Sequence, residues 1–232
     1  MGTPTIILHD SFRDPQAELW FIEPPGFTTL PLDALLPEPG SPAADELRAV
    51  AAPFLDSAPN EMFRQQFIAN FSSAQKLLAA LRDVGMVHCS IGMHHDDTDK
   101  AGSNNGQPLL SWFTVSWLET PVSPRGVMAA RALTSSAPSS GSEYLELACG
   151  PATFSETVIT PPADSGLPLQ SLLQMRVHLP HPDCKRLAVL TVSTTATSHR
   201  EEYRAILRQI AESVSFDNPL EEDPIRERDT ER

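Results

Sequence analysis

The sequence predicts an α+β fold: a single, mostly antiparallel, twisted β-sheet with α-helices packed on it. Three observations carry this. Short apolar runs of period two recur along the chain, most of them joined by brief reversals that contain Gly or Pro. Two stretches, near residues 60–83 and 198–214, instead keep an apolar stripe of helical period. The 232-residue chain is 41% hydrophobic, enough to bury a core, so wholesale disorder is excluded.

From the amino end, residues 5–8 and 18–22 read as short strands separated by Arg13-Asp14-Pro15. Pro24-Pro25-Gly26 then stops the chain, because proline presets φ for a turn and glycine supplies the positive φ that follows. Residues 28–44 (LPLDALLPEPG and its flanks) read as an ordered Pro-rich connector, and a modest helix is expected over 44–52, ended by Pro53. The strongest helix is 60–83. Phe63, Phe67, Phe71, Ala74, Leu78 and Leu81 form its stripe, Asn60 is its N-cap and Gly85 its stop.

Downstream the period becomes two. Residues 86–93 read as a strand, 96–106 as a polar loop, and 109–118 (LLSWFTVSWL) as a central strand, being apolar on both faces. A helix opening at Ser123-Pro124 runs to 134 with Val127, Ala130 and Leu133 on its inner side. After a loop at 135–142, residues 144–147 and 153–160 form a hairpin around Cys149-Gly150-Pro151. Leu169, Leu173, Met175, Val177 and Leu179 alternate with Gln170, Gln174, Arg176 and His178, with Leu172 as the exception. A reversal at Pro180-His181-Pro182-Asp183 leads to a second central strand, 186–193. The last helix opens on Ser198-His199-Arg200-Glu201, a capping-box pattern, and buries Tyr203, Ile206, Leu207, Ile210 and Val214.

Residues 1–216 are thus read as a single domain, with 1–17 an N-terminal strand or arm and 28–59 the Pro-rich connector. Residues 217–232 carry seven acids and three arginines and read as an acidic, disordered tail. The chain has 17 Lys and Arg against 30 Asp and Glu, a net charge of −13. That balance argues against nucleic acid or an anionic membrane as the main partner. The opening MGTPTIILHD has neither the basic region nor the apolar run of a signal peptide, and no stretch reaches the length of a membrane helix. Three widely spaced cysteines, Cys89, Cys149 and Cys184, fit buried thiols in a reducing compartment. A cytoplasmic location without membrane insertion is expected.

Trp20-Phe21-Ile22-Glu23-Pro24-Pro25-Gly26-Phe27 resembles the first strand and P-x-G-[WF] turn of domains of the photosystem PsbP and Ran-binding Mog type. LAVLTVSTTATSHREEYRAILRQIAESVSF is similar to their last strand and C-terminal helix, including the terminal Ser-x-x-Phe at Ser213 and Phe216. Actinobacterial proteins of this pattern share the Gly150-Pro151-Ala152 hairpin and the QMRVHLPHPDCKRLAVLTVST strand pair. The likeness covers most of 18–216, and its motifs are structural. It implies a PsbP/Mog-like binding scaffold, whose members serve as extrinsic subunits, small-GTPase partners, lipoproteins or chaperones of secreted segments. Fold alone does not choose among these.

The cluster His94-His95-Asp96-Asp97-x-Asp99, with His88 on the preceding strand, offers metal-ligand types. Adjacent strand residues point to opposite faces, however, and the acidic spacing misses a calcium loop, so an exposed polar loop is the better reading. A metal-binding protein or metal-dependent hydrolase using His88, His94 and Asp96 stands as the alternative. His178 and His181 are expected to meet solvent. No nucleophile elbow, Walker A, GxGxxG, HExxH or paired CxxC occurs, and Cys89 reads as a core thiol.

The leading expectation is therefore a non-catalytic protein-interaction module without a cofactor, a secretion accessory or chaperone-like factor that holds a protein segment on its sheet face. The residues chosen for that surface are Trp112, Trp117, Leu172, Gln174 and Arg176, because aromatic and apolar groups on strands mark interaction surfaces where helices leave them uncovered. Phe113 and Met175 on those strands, and Met93 on the 86–93 strand, are expected mainly in the core. A structural subunit of a larger assembly, or a homodimer, is the remaining arrangement.

Overall fold

The computed structural model describes residues 7–8, 17–56, 58, 60–95, 108–135, 141–160 and 171–219. The expected 96–106 loop, Leu169 and Gln170, most of the N-terminal arm and the tail beyond 219 lie outside the described residues. The fold is α+β. β1 (Ile7–Leu8) pairs with β2 (Ile22–Glu23). A seven-stranded sheet, antiparallel at every pairing, is built from β3 (Phe27–Thr29), β4 (Met86–His95), β5 (Pro108–Glu119), β6 (Gly141–Leu147), β7 (Gly150–Ile159), β8 (Leu172–Pro180) and β9 (Arg186–Thr194). Its order is β3-β4-β5-β9-β8-β7-β6, so the two runs that are apolar on both faces, β5 and β9, sit side by side at the centre.

Alternation divides the side chains between two faces. Phe113 of β5 lies opposite Val192 of β9, which lies opposite Met175 of β8. These three, with Phe154, Val177 and Leu190, are sealed beneath α4 (Arg200–Glu212), whose Tyr203, Leu207, Ile210 and Ala211 complete the core. The segment before β2 closes this side. Trp20 and Ser215 exchange both backbone hydrogen bonds at 2.9 Å, and Ser213 Oγ accepts from Ile22 N at 2.9 Å. Phe216 packs against Trp117 and His181. α4 also carries Arg200, Arg204 and Arg208 at four-residue steps, hence on one side of the helix. The first two meet the buried carboxylate of Glu156 and the third meets Glu143, which ties the helix to β7 and β6.

The opposite face holds a second core under α1 (Pro42–Asp56) and α2 (Glu61–Asp83). Phe54, Phe67, Phe71 and Trp112 stack in sequence at 5.6, 5.7 and 6.2 Å. Asn60 caps α2 by accepting from Phe63 N at 2.9 Å, and Gly85 ends that segment with φ of +108°.

Four local expectations are corrected. The connector contains a 3-10 turn at Leu32–Ala34, and α1 begins at Pro42 and continues through Pro53 to Asp56. Ser41 Oγ accepts from Ala44 N at 3.2 Å, the same Ser-Pro opening that marked the later helix. Burial of Phe54 outweighs the hydrogen bond that Pro53 cannot make. In α3 (Arg125–Ser135) the buried residues are Met128 and Ala129, while Val127 and Ala130 are exposed. The Arg125 fork sets that rotation by donating to the carbonyls of Pro180 and Cys149, and Thr153 Oγ1 donates to Ala129 O at 2.7 Å. Ser198 makes no capping box: Thr197–His199 is drawn into a 3-10 turn, and α4 starts at Arg200 without a side-chain cap. His181 is largely covered, pairing with Asp183 at 3.0 Å and packing on Trp117 and Phe216. Among the described residues, no helix is long and apolar enough to cross a membrane.

Candidate functional site

α1 and α2 cover the β3–β4–β5 end of their face, and α3 covers the β6–β7–β8 end. Between them the sheet is open, and a cavity of about 590 Å³ lies on it. Its floor follows from alternation. Gln174, Arg176 and His178 project from β8, Ser155, Thr157 and Ile159 from β7, and Leu187 and Leu118 from β9 and β5. Met128, Arg131 and Ala132 of α3 form the wall.

The register orders this floor into rows. One row runs Ser155–Arg176–Thr191–Thr114, and the next runs Thr157–Gln174–Ser193–Trp112. The second row ends beside a smaller pocket of about 140 Å³, lined by Phe67, Phe71, Leu110, Trp112, Leu172 and Thr194. Leu172 and Gln174, two positions apart on one strand, therefore connect the smaller pocket to the larger cavity. From His178 to Leu172 the floor extends roughly 20 Å.

Four of the five surface residues expected from sequence thus share this face. Leu172 and Trp112 line the small pocket, and Gln174 and Arg176 line the large one. Trp112 also stacks on Phe71, so it is half-buried against α2. Trp117 stands apart. An odd offset on β5 turns it to the α4 face, where Arg186 lies 4.6 Å over its ring and His181 and Phe216 flank it. The sequence reading did not include Arg131, Ser155 and Thr157. The β7 alternation could have placed the latter two, but the rotation of α3 that brings in Arg131 is a tertiary result.

The electrostatics of the cavity oppose those of the chain. Two arginines and a histidine line it, with no Asp or Glu among the described lining residues. Arg176 donates to Gln174 Oε1, and Gln174 Nε2 donates to Ser193 Oγ at 3.4 Å, which holds the guanidinium over the floor. Arg131 Nη1 donates to Ser123 Oγ at 3.1 Å. Among the described residues neither arginine has a carboxylate partner. Burial holds Arg176 below the ordinary arginine value. Burial, and then the charge of Arg176, lowers His178, whose Nδ1 is buried without a hydrogen-bond partner among the described residues. His178 therefore faces the cavity half-buried, where solvent had been expected.

The residues of the metal alternative are not brought together. His88 is buried on β4 with Nε2 at 3.2 Å from Glu23 Oε1. His94 lies six positions further along the same strand, held between the rings of Phe27 and Tyr203 and separated from His88 by the rings of Phe113 and Phe27. Asp96 lies outside the described residues. Among those described, no three His, Cys, Asp or Glu side chains are grouped closely enough to hold a metal ion.

No protein-family model matches the chain, and no curated protein matches it.

Proposed function

We propose that this chain is a non-catalytic protein-interaction module that lays an extended protein segment along the open sheet face between α2 and α3. The observation that carries the reading is the uncovered floor of β5, β9 and β8, a mixed polar and apolar groove closed on both sides by helices. Such a floor suits alternate side chains of an extended chain: one fills the larger cavity while another seats against Trp112 and Leu172. At roughly 20 Å it accommodates about six extended residues. The sheet with a C-terminal helix on one face is in keeping with the PsbP/Mog-like frame, and the role we assign is that of a secretion or envelope accessory factor, chaperone-like, working in the cytoplasm. Three free cysteines accord with a reducing compartment.

The test is a groove-filling substitution. Thr157→Trp places an indole in the cavity, and its fold is checked by its melting temperature. Wild-type chain and the variant are then used as baits in lysate of the native host, with mass spectrometry of what each retains. Partners held by the wild type and released by the variant support the reading. Identical retention by both, or turnover of a small molecule by the wild type, removes it.

A further inference from the structure

Resting on the reading of the groove as a protein-binding face, we infer that its occupant is an acidic, aliphatic segment whose carboxylate is held by Arg131 and Arg176. The argument is one of charge. The chain has 30 acids to 17 basic residues, yet the described lining of this cavity has the opposite sign, with Arg131 and Arg176 and no acid. Most arginines elsewhere in the described fold are matched by carboxylates, such as Arg186 by Glu18 and Asp183, Arg204 by Glu156, and Arg208 by Glu143; Arg125 instead spends its donors on the backbone carbonyls of Pro180 and Cys149. Among the described residues, the two in the groove have only neutral oxygen partners, Ser123 Oγ and Gln174 Oε1.

A guanidinium recognises a carboxylate through paired N–H donors, and the contact strengthens where water is excluded. Arg176 is still open to solvent, steadied by Gln174 on one side, so an occupant that covers it supplies that condition. It comes from the sheet floor and Arg131 from the helix wall, so a carboxylate entering the cavity is approached from two directions. Leu118, Met128 and Leu187 supply the apolar remainder, which suits Leu, Ile or Val beside the acid. The segment is thus selected by sign as well as by shape. Nucleic acid, though anionic, is disfavoured by the acidic surroundings, because its many phosphates would face the rest of a chain of net charge −13.

The experiment pans a library of random dodecapeptides on the full-length chain and measures selected peptides by fluorescence polarisation. Each is compared with its own amide counterpart, Asp to Asn or Glu to Gln, on wild type, Arg176→Gln, Arg131→Gln and Thr157→Trp. The expected result is a consensus with an acid flanked by aliphatic residues. Affinity falls on the order of tenfold to a hundredfold for the amide peptide or for either arginine variant, and it weakens with added salt. Peptides that Thr157→Trp excludes but that show no acid preference, and bind the arginine variants unchanged, overturn the inference and leave the binding module standing. Peptides that bind all four proteins alike, or none at all, overturn both. So does uptake of decanoate in place of any peptide, or self-association of the chain through this face in sedimentation runs, since the groove would then serve a small amphiphile or a second copy.

Discussion

Nε2 of His88 lies 3.2 Å from Oε1 of Glu23, with both side chains nearly sealed from water. The pair joins β2 to β4 across 65 residues of sequence, and the rings of Phe21 and Phe113 stand 5.2 and 5.5 Å from the imidazole. A polar contact in so apolar a setting is costly to break from one side. Glu23→Leu is expected to lower stability by about 1–3 kcal/mol, whereas Glu23→Gln, which keeps an acceptor oxygen, loses less. Urea unfolding of the two variants checks this, and equal midpoints would count against the pairing.

Glu156 is a buried carboxylate answered by two arginines of α4. Glu156→Ala leaves both cations facing a covered site, so a loss on the order of 3 kcal/mol is expected, moderated because the arginines reach water. Arg200→Ala removes the more exposed partner and is milder, below about 1 kcal/mol. Thermal melts of both variants give the order. An Arg200 loss larger than the Glu156 loss contradicts it.

Burial pushes His94 and His178 below their ordinary value of 6.5, and the Arg176 charge pushes His178 further the same way. Between those lowered values and 6.5 the unfolded chain binds more protons than the folded one. Stability from these two groups is therefore full above about pH 6.5 and declines as pH falls below it. His178→Asn is expected to flatten the decline. Urea midpoints measured from about pH 7.5 down to about pH 5 read the slope, and a wild-type midpoint that rises on acidification refutes the assignment.

Burial drives the thiol of Cys89 up to about 12. At about pH 8 its thiolate is then on the order of one part in ten thousand, and no reagent reaches it inside the α1–α2 core. Cys184 sits in the β8–β9 turn with φ of +61° and is only partly covered. Iodoacetamide on the native chain is expected to modify Cys184 first and Cys89 only after unfolding, as read by peptide mass spectrometry. Early modification of Cys89 would show that this core opens.

Much of the architecture was legible where the signal is local. The Phe67–Phe71–Leu78 spacing produced α2 with its Asn60 cap, and the Leu173–Met175–Val177–Leu179 alternation produced the buried side of β8. Helical and strand periods are properties of neighbouring residues, so they survive in the sequence alone. The helix through Pro53 was not legible, because the packing of Phe54 on Phe67 that sustains it joins separate elements. The rotation of α3 was hidden for the same reason, being set by Arg125 reaching carbonyls on two strands.

By itself, then, the sequence determined an α+β chain of acidic balance with two amphipathic helices, two central strands, and a polar side of β8 bearing Gln174, Arg176 and His178. Only the tertiary structure decided what that polar side faces. The strand order β3-β4-β5-β9-β8-β7-β6 and the partial cover of one face by α2 and α3 bring Arg131, Thr157, Arg176 and Trp112 to one open strip and send Trp117 to the other face. These neighbours are tens of residues apart in the chain. Their meeting depends on which elements bury their apolar sides against each other, a sum over the whole molecule that no local pattern encodes.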